Sequence, residues 1–119
     1  MDFEIIELDQ MKIVRVKEGC KINTVQDSLD LMGNADYLGA RQVIVDEKNL
    51  DPAFFDLRTG LAGEILQKYS NYRMKLAIIG EFTKFGSNAL NAFIIECNRG
   101  NCIFFAADFD EALDRLIHS

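Results

Sequence analysis

Histidine occurs once in the chain, at the next-to-last position, His118, where termini fray. A Ser-His-Asp triad or a histidine-based metal centre therefore has no material to be built from. Cysteine is scarce and odd in number: Cys20, Cys97 and Cys102 lack zinc or redox pairing, since Cys97 and Cys102 are too widely spaced for a CxxC motif. Free, buried thiols are expected, and neither a metal nor a cofactor is called for. A single proline and eight glycines leave little room for an unstructured tail. No GxGxxG and no GxxxxGK[ST] occurs, so neither nucleotide-binding fingerprint is present.

Long apolar runs are missing as well; none approaches the span of about 20 residues that a bilayer needs, and a membrane partner is not expected. The opening MDFEIIELDQMK has no basic leader or apolar core of a signal peptide, so a cytoplasmic location is expected. Lysine and arginine are scattered singly in a chain of net charge −6, which opposes binding to nucleic acid. What remains is 49% apolar and 27% charged, the balance of a folded domain, and residues 1–119 are the length of one.

Residues 3–8 and 11–16 are β-like runs separated by Asp9-Gln10, a hairpin-length gap without the glycine such turns favour. Glu4, Glu7, Lys12 and Arg15 interrupt them, as suits a sheet margin wetted on one side. Asn23 or Thr24 can cap a helix over residues 24–38, with Gln26 or Asp27 closing a capping-box pair and Gly39 ending it. Three uninterrupted apolar runs follow, around Val43-Ile44-Val45, Leu76-Ala77-Ile78-Ile79 and Ile103-Phe104-Phe105-Ala106. Each is separated from the next by a helical pattern, and loss of alternation is what parallel strands covered on both faces show. The expected fold is a single α/β domain, ββαβαβαβα, with a mixed sheet whose central strands are parallel.

The central stretch from Asp51 to Tyr72 carries a helix-start signal, Asp51 then Pro52, and places Phe54, Leu57, Leu61, Ile65 and Tyr69 at helical spacing. Gly60 and Gly63 fall inside that pattern. Each would weaken a helix by roughly 1 kcal/mol, so a close approach by a backbone or a ligand is expected there.

Residues 54–82, FFDLRTGLAGEILQKYSNYRMKLAIIGEF, with FIIECNRGNCIFFAADFDEAL later, resemble the bacterial domain of unknown function family 4180. That resemblance implies a lineage without an assigned activity. In the order of strands and helices, and in LAIIG followed by helix, strand and DEAL, the chain is also similar to the STAS, or anti-sigma-factor-antagonist, fold. Such antagonists carry a phosphorylatable Ser in an Asp-Ser-Ser-Gly motif. Here the matching stretch reads DEKNLDPAFFDLRTG, without serine and with Thr59-Gly60 placed late, so a phosphorylation-controlled cycle is not implied.

Two functional readings follow. With no recognisable catalytic set, the first is a non-catalytic, STAS-like regulatory or protein-interaction module. Phe54, Phe55, Phe82 and Phe85, near expected loops and helix starts, would form its partner surface, and the partner is another protein or a second copy in a homodimer. The second is a small-molecule-binding protein or enzyme. Its site would lie at the C-terminal ends of the parallel strands, on Asp46, Asn49, Glu81, Ser87 and Asp108, where loops diverge and helices begin. Ser87 and Asp108 also suit plain helix caps, and Glu64 with Asp56 would be the one carboxylate pair for acid–base work.

Overall fold

A computed structural model describes residues 2–119. Its strands are β1 (Phe3–Leu8), β2 (Met11–Val16), β3 (Gln42–Asp46), β4 (Lys75–Ile79) and β5 (Ile103–Ala106). Its helices are α1 (Val25–Tyr37), α2 (Leu61–Asn71), α3 (Asn88–Arg99) and α4 (Phe109–Ile117). The chain order is thus ββαβαβαβα in one α/β domain. The sheet runs β1-β2-β3-β4-β5, with β1 antiparallel to β2 and every later pair parallel.

Because the parallel strands advance in one direction, crossovers of one hand put their helices on one face. There Val43, Val45, Leu76 and Ile78 pack with Leu31 and Met32 of α1, Ile65 and Tyr69 of α2, and Leu90 of α3. The opposite face holds Ile13, Ile44, Ala77 and Phe104, covered by Ala112 and Leu116 of α4. A strand with apolar neighbours on both sides has no polar alternation, which is why β3, β4 and β5 read as continuous runs.

Helix α1 starts at Thr24, whose Oγ1 accepts the Asp27 N–H at 3.0 Å while Asp27 Oδ2 accepts the Thr24 N–H at 3.2 Å. The hairpin closes across Asp9 and Gln10 at φ 47° and 73°, so two non-glycine residues take the left-handed conformation that this turn requires.

The central stretch corrects one expectation. Residues 52–59 are not helical in the α sense: two 3-10 turns, Pro52–Phe55 and Leu57–Thr59, precede α2. Asp51 and Asp56 cap these turns, accepting N–H groups from Ala53 at 2.9 Å and Arg58 at 3.2 Å. Gly60, at φ 78°, then redirects the chain, a conformation that glycine alone adopts without a Cβ penalty. The spacing of Phe54, Leu57 and Leu61 suggested helix because turns of three residues repeat at nearly the same interval.

Gly63 does lie within α2, but a Cβ there would meet nothing within 4 Å. No close approach explains it. Gly63→Ala is therefore expected to raise stability by about 1 kcal/mol, a gain of roughly 4 °C in Tm by circular dichroism. An unchanged or lower Tm would mean that the glycine answers a constraint outside the folded chain.

The two margins of the sheet differ. On β5, Asn98 of α3 accepts the outward Phe105 N–H at 2.8 Å and donates to the Phe105 carbonyl at 3.2 Å, occupying the place of a further strand. On β1, the Lys17 N–H donates to the Asp2 carbonyl, so even-numbered residues pair with β2 and the backbone groups of Phe3, Ile5 and Glu7 face outward.

Candidate functional site

The C-terminal ends of the parallel strands bring only some of the expected ligand residues together. Asp46 ends β3 on the wall of a cleft of about 420 Å³. Asn49, 1% exposed, is turned inward: its Oδ1 accepts the Asp46 N–H at 2.8 Å and its Nδ2 donates to the carbonyls of Lys17 and Cys20 at 3.1 and 2.8 Å. That amide is committed to the fold and has no donor left for a ligand. Ser87 caps α3 through the Leu90 N–H at 3.1 Å, and Asp108 caps α4 through the Glu111 N–H at 2.8 Å. Neither lines the cleft; Glu81 is exposed beside it, next to Gly80.

The cleft's charge comes largely from residues that the sequence reading left out. Arg15 of β2 carries its guanidinium 4.5 Å from the centre of the Phe109 ring and 4.0 Å from Asp46 Oδ2. Glu47, with only 11% of its side chain exposed, accepts from Lys84 Nζ at 2.7 Å and from the Glu81 N–H at 3.3 Å. It lies flat over Gly80, where a Cβ would stand 2.9 Å from Glu47 Cγ and Cδ, so the missing side chain is what admits it. Glu4, Lys17, Glu18 and Lys48 complete the polar wall.

Two of the four rings expected at a partner surface lie in the core instead. Phe54 and Phe55 are 0% and 5% exposed, whereas Phe82 and Phe85 are half-buried and pack against that core. Phe55 stacks on Phe85 at 4.7 Å between ring centres and meets Phe54 edge-on at 5.1 Å, while Phe82 stands edge-on to Phe105 at 5.1 Å. The two 3-10 turns roll these rings over the end of the sheet. Phe54 and Phe55 seal the core there, while Phe85 lines a surface cleft with Pro52, Leu57 and Ala89.

The carboxylate pair fares no better. Asp56 is held by Arg58 at 3.0 Å, and that hydrogen bond keeps its carboxyl below the usual range, away from the value a proton carrier needs near neutrality.

An exposed apolar surface does exist at the other end of the molecule. A groove of about 340 Å³ between α1 and the end of α2 is lined by Leu29, Met32, Gly33, Tyr72 and Met74. Tyr72 is 57% exposed, and Tyr37, one turn beyond Gly33, is 90% exposed. Arg41 braces the rim, donating to Asp36 Oδ1 at 2.6 Å and to the Tyr72 carbonyl. Sequence periodicity could have flagged Tyr37, which falls off the apolar stripe of α1. Nothing marked Tyr72, which lies three residues beyond Tyr69 at the end of α2.

Cys97 and Cys102 are half-buried and free. Burial is the main reason that the Cys97 thiol is pushed up to about 11 and that the Cys102 thiol also lies above its ordinary value, which leaves both as weak nucleophiles at neutral pH. No group of three potential metal ligands converges among the described residues, and no helix among them is long and apolar enough to cross a membrane. A family model described as "Domain of unknown function (DUF4180)" matches residues 8–116. No curated protein matches the chain.

Proposed function

The chain belongs to the DUF4180 family, a domain of unknown function, and on that premise we propose that it is a non-catalytic interaction module that docks a protein partner in the groove between α1 and α2. The observation that carries this reading is Tyr72 on the groove's wall, 57% exposed. A large aromatic ring left in water beside Met32 and Met74 buries its apolar area only when something covers it. Tyrosine, methionine and arginine are also the residues enriched at protein interfaces, and tyrosine is among those that dominate their energetics. Gly33 keeps the groove open, since nothing lies within 4 Å of where its Cβ would be. The regulatory character follows the STAS resemblance, with recognition through the helical face in place of a phosphorylated serine.

Tyr72→Ala tests this. The side chain is exposed, so Tm should stay within about 2 °C of the parent. Binding should fall by about 30-fold, the loss of roughly 2 kcal/mol expected of a central tyrosine anchor. The readout is capture by the immobilised chain of a protein from its own cell extract, followed by titration of that protein against both forms. Equal capture by parent and variant would remove the groove as the docking surface. Sedimentation of the free chain distinguishes a second copy as occupant from a different protein.

A further inference from the structure

The cleft at the ends of β2, β3 and β4 contains an arginine that donates no hydrogen bond among the described residues. Arg41, Arg58 and Arg99 each donate to a carboxylate within the chain, at 2.6, 3.0 and 3.0 Å. Arg15 does not: its ion-pair partner, Asp46 Oδ2, stands at 4.0 Å, beyond hydrogen-bond reach. Yet Arg15 is held in place, because its guanidinium lies over the Phe109 ring, with Cζ 4.5 Å from the ring centre, and only 30% of its side chain is exposed. A guanidinium fixed by an aromatic face, with its fork of N–H groups free, is set up for a planar, bidentate acceptor.

We propose that this cleft binds a small zwitterion, a molecule carrying one carboxylate and one ammonium group, such as a free α-amino acid. The carboxylate lies against Arg15. The ammonium is taken by Asp46, close to the guanidinium but not bonded to it. Charge balance selects this class. Glu47 is already neutralised by Lys84 at 2.7 Å, which leaves Arg15, Lys17 and Lys48 facing Glu4, Glu18 and Asp46. A polyanion such as a nucleotide would meet three carboxylates there, and a polyamine three cations. A molecule of zero net charge with separated poles meets neither. The volume, about 420 Å³, is within the range of roughly 300–1,000 Å³ typical of small-molecule sites.

The test uses the whole chain and a panel of the common α-amino acids, each alongside its decarboxylated amine and its deaminated acid, with inorganic phosphate as a further probe. Binding is read by chemical-shift perturbation and by thermal shift. At least one amino acid is expected to bind more tightly than either truncated analogue, with shifts centred on Arg15 and Asp46. Arg15→Lys, which keeps the charge and loses the fork, should weaken that binding about tenfold. Asp46→Asn should weaken the amino acid while leaving the deaminated acid unaffected, so a fold defect in one variant does not remove the test. The proposal is overturned if no amino acid binds, if phosphate binds more tightly than all of them, or if Arg15→Lys binds as well as the parent.

Discussion

Phe55→Ala is expected to lower the free energy of unfolding by about 3–5 kcal/mol, measured by urea denaturation. The side chain is 5% exposed and sits at the hub of a set of rings: stacked on Phe85, edge-on to Phe54 and tilted 33° against Phe82. Removing it deletes apolar burial and several ring contacts, each worth roughly 0.5–1.5 kcal/mol beyond area. The void would not close easily. The turn that carries Phe55 is tied down by the Asp51 cap and by Thr59 Oγ1, which donates to the Ala53 carbonyl at 2.7 Å. An interface residue would behave in the opposite way, losing affinity with stability intact, so a change below about 1 kcal/mol would return Phe55 to the surface.

Asn49→Ala should cost on the order of 3 kcal/mol or more. It leaves three backbone groups, the Asp46 N–H and the carbonyls of Lys17 and Cys20, without their partners at a site that is 1% exposed. Each orphaned buried group costs about 1–3 kcal/mol, partly recovered where water can enter. Asn49→Asp separates a hydrogen-bonding role from mere volume. It keeps the acceptor for the Asp46 N–H but turns two donations into repulsion between oxygens, so it should be at least as damaging as alanine. If Asn49→Asp were well tolerated, the side chain would not be pinning the loop. That loop includes Lys17 and Glu18, so the same amide that is unavailable to a ligand positions part of the cleft wall.

The sheet was legible because its central strands are buried on both sides, and unbroken apolar runs such as Val43-Ile44-Val45 have few other uses in a chain this size. Thr24, Ser87 and Asp108 were legible as caps because capping is local chemistry, read within three residues. Short 3-10 turns were not, since Phe54, Leu57 and Leu61 keep an interval close to that of an α-helix. Arg15 was read as a wetted strand residue, and nothing local shows that Phe109, far along the chain, comes to lie beneath its guanidinium. The phenylalanines misled for a related reason. Proximity to loops suggested exposure, whereas the turns fold inward and take Phe54 and Phe55 wholly, and Phe82 and Phe85 partly, with them.

The unequal margins of the sheet also bear on how this chain can associate. With Asn98 taking the outward backbone groups of Phe105 on one side and Phe3, Ile5 and Glu7 presenting outward backbone on the other, β1 is the more open margin for strand addition among the described residues. Two molecules that join through β1 use up that margin in each, so further growth by strand addition has to start from the side that Asn98 obstructs.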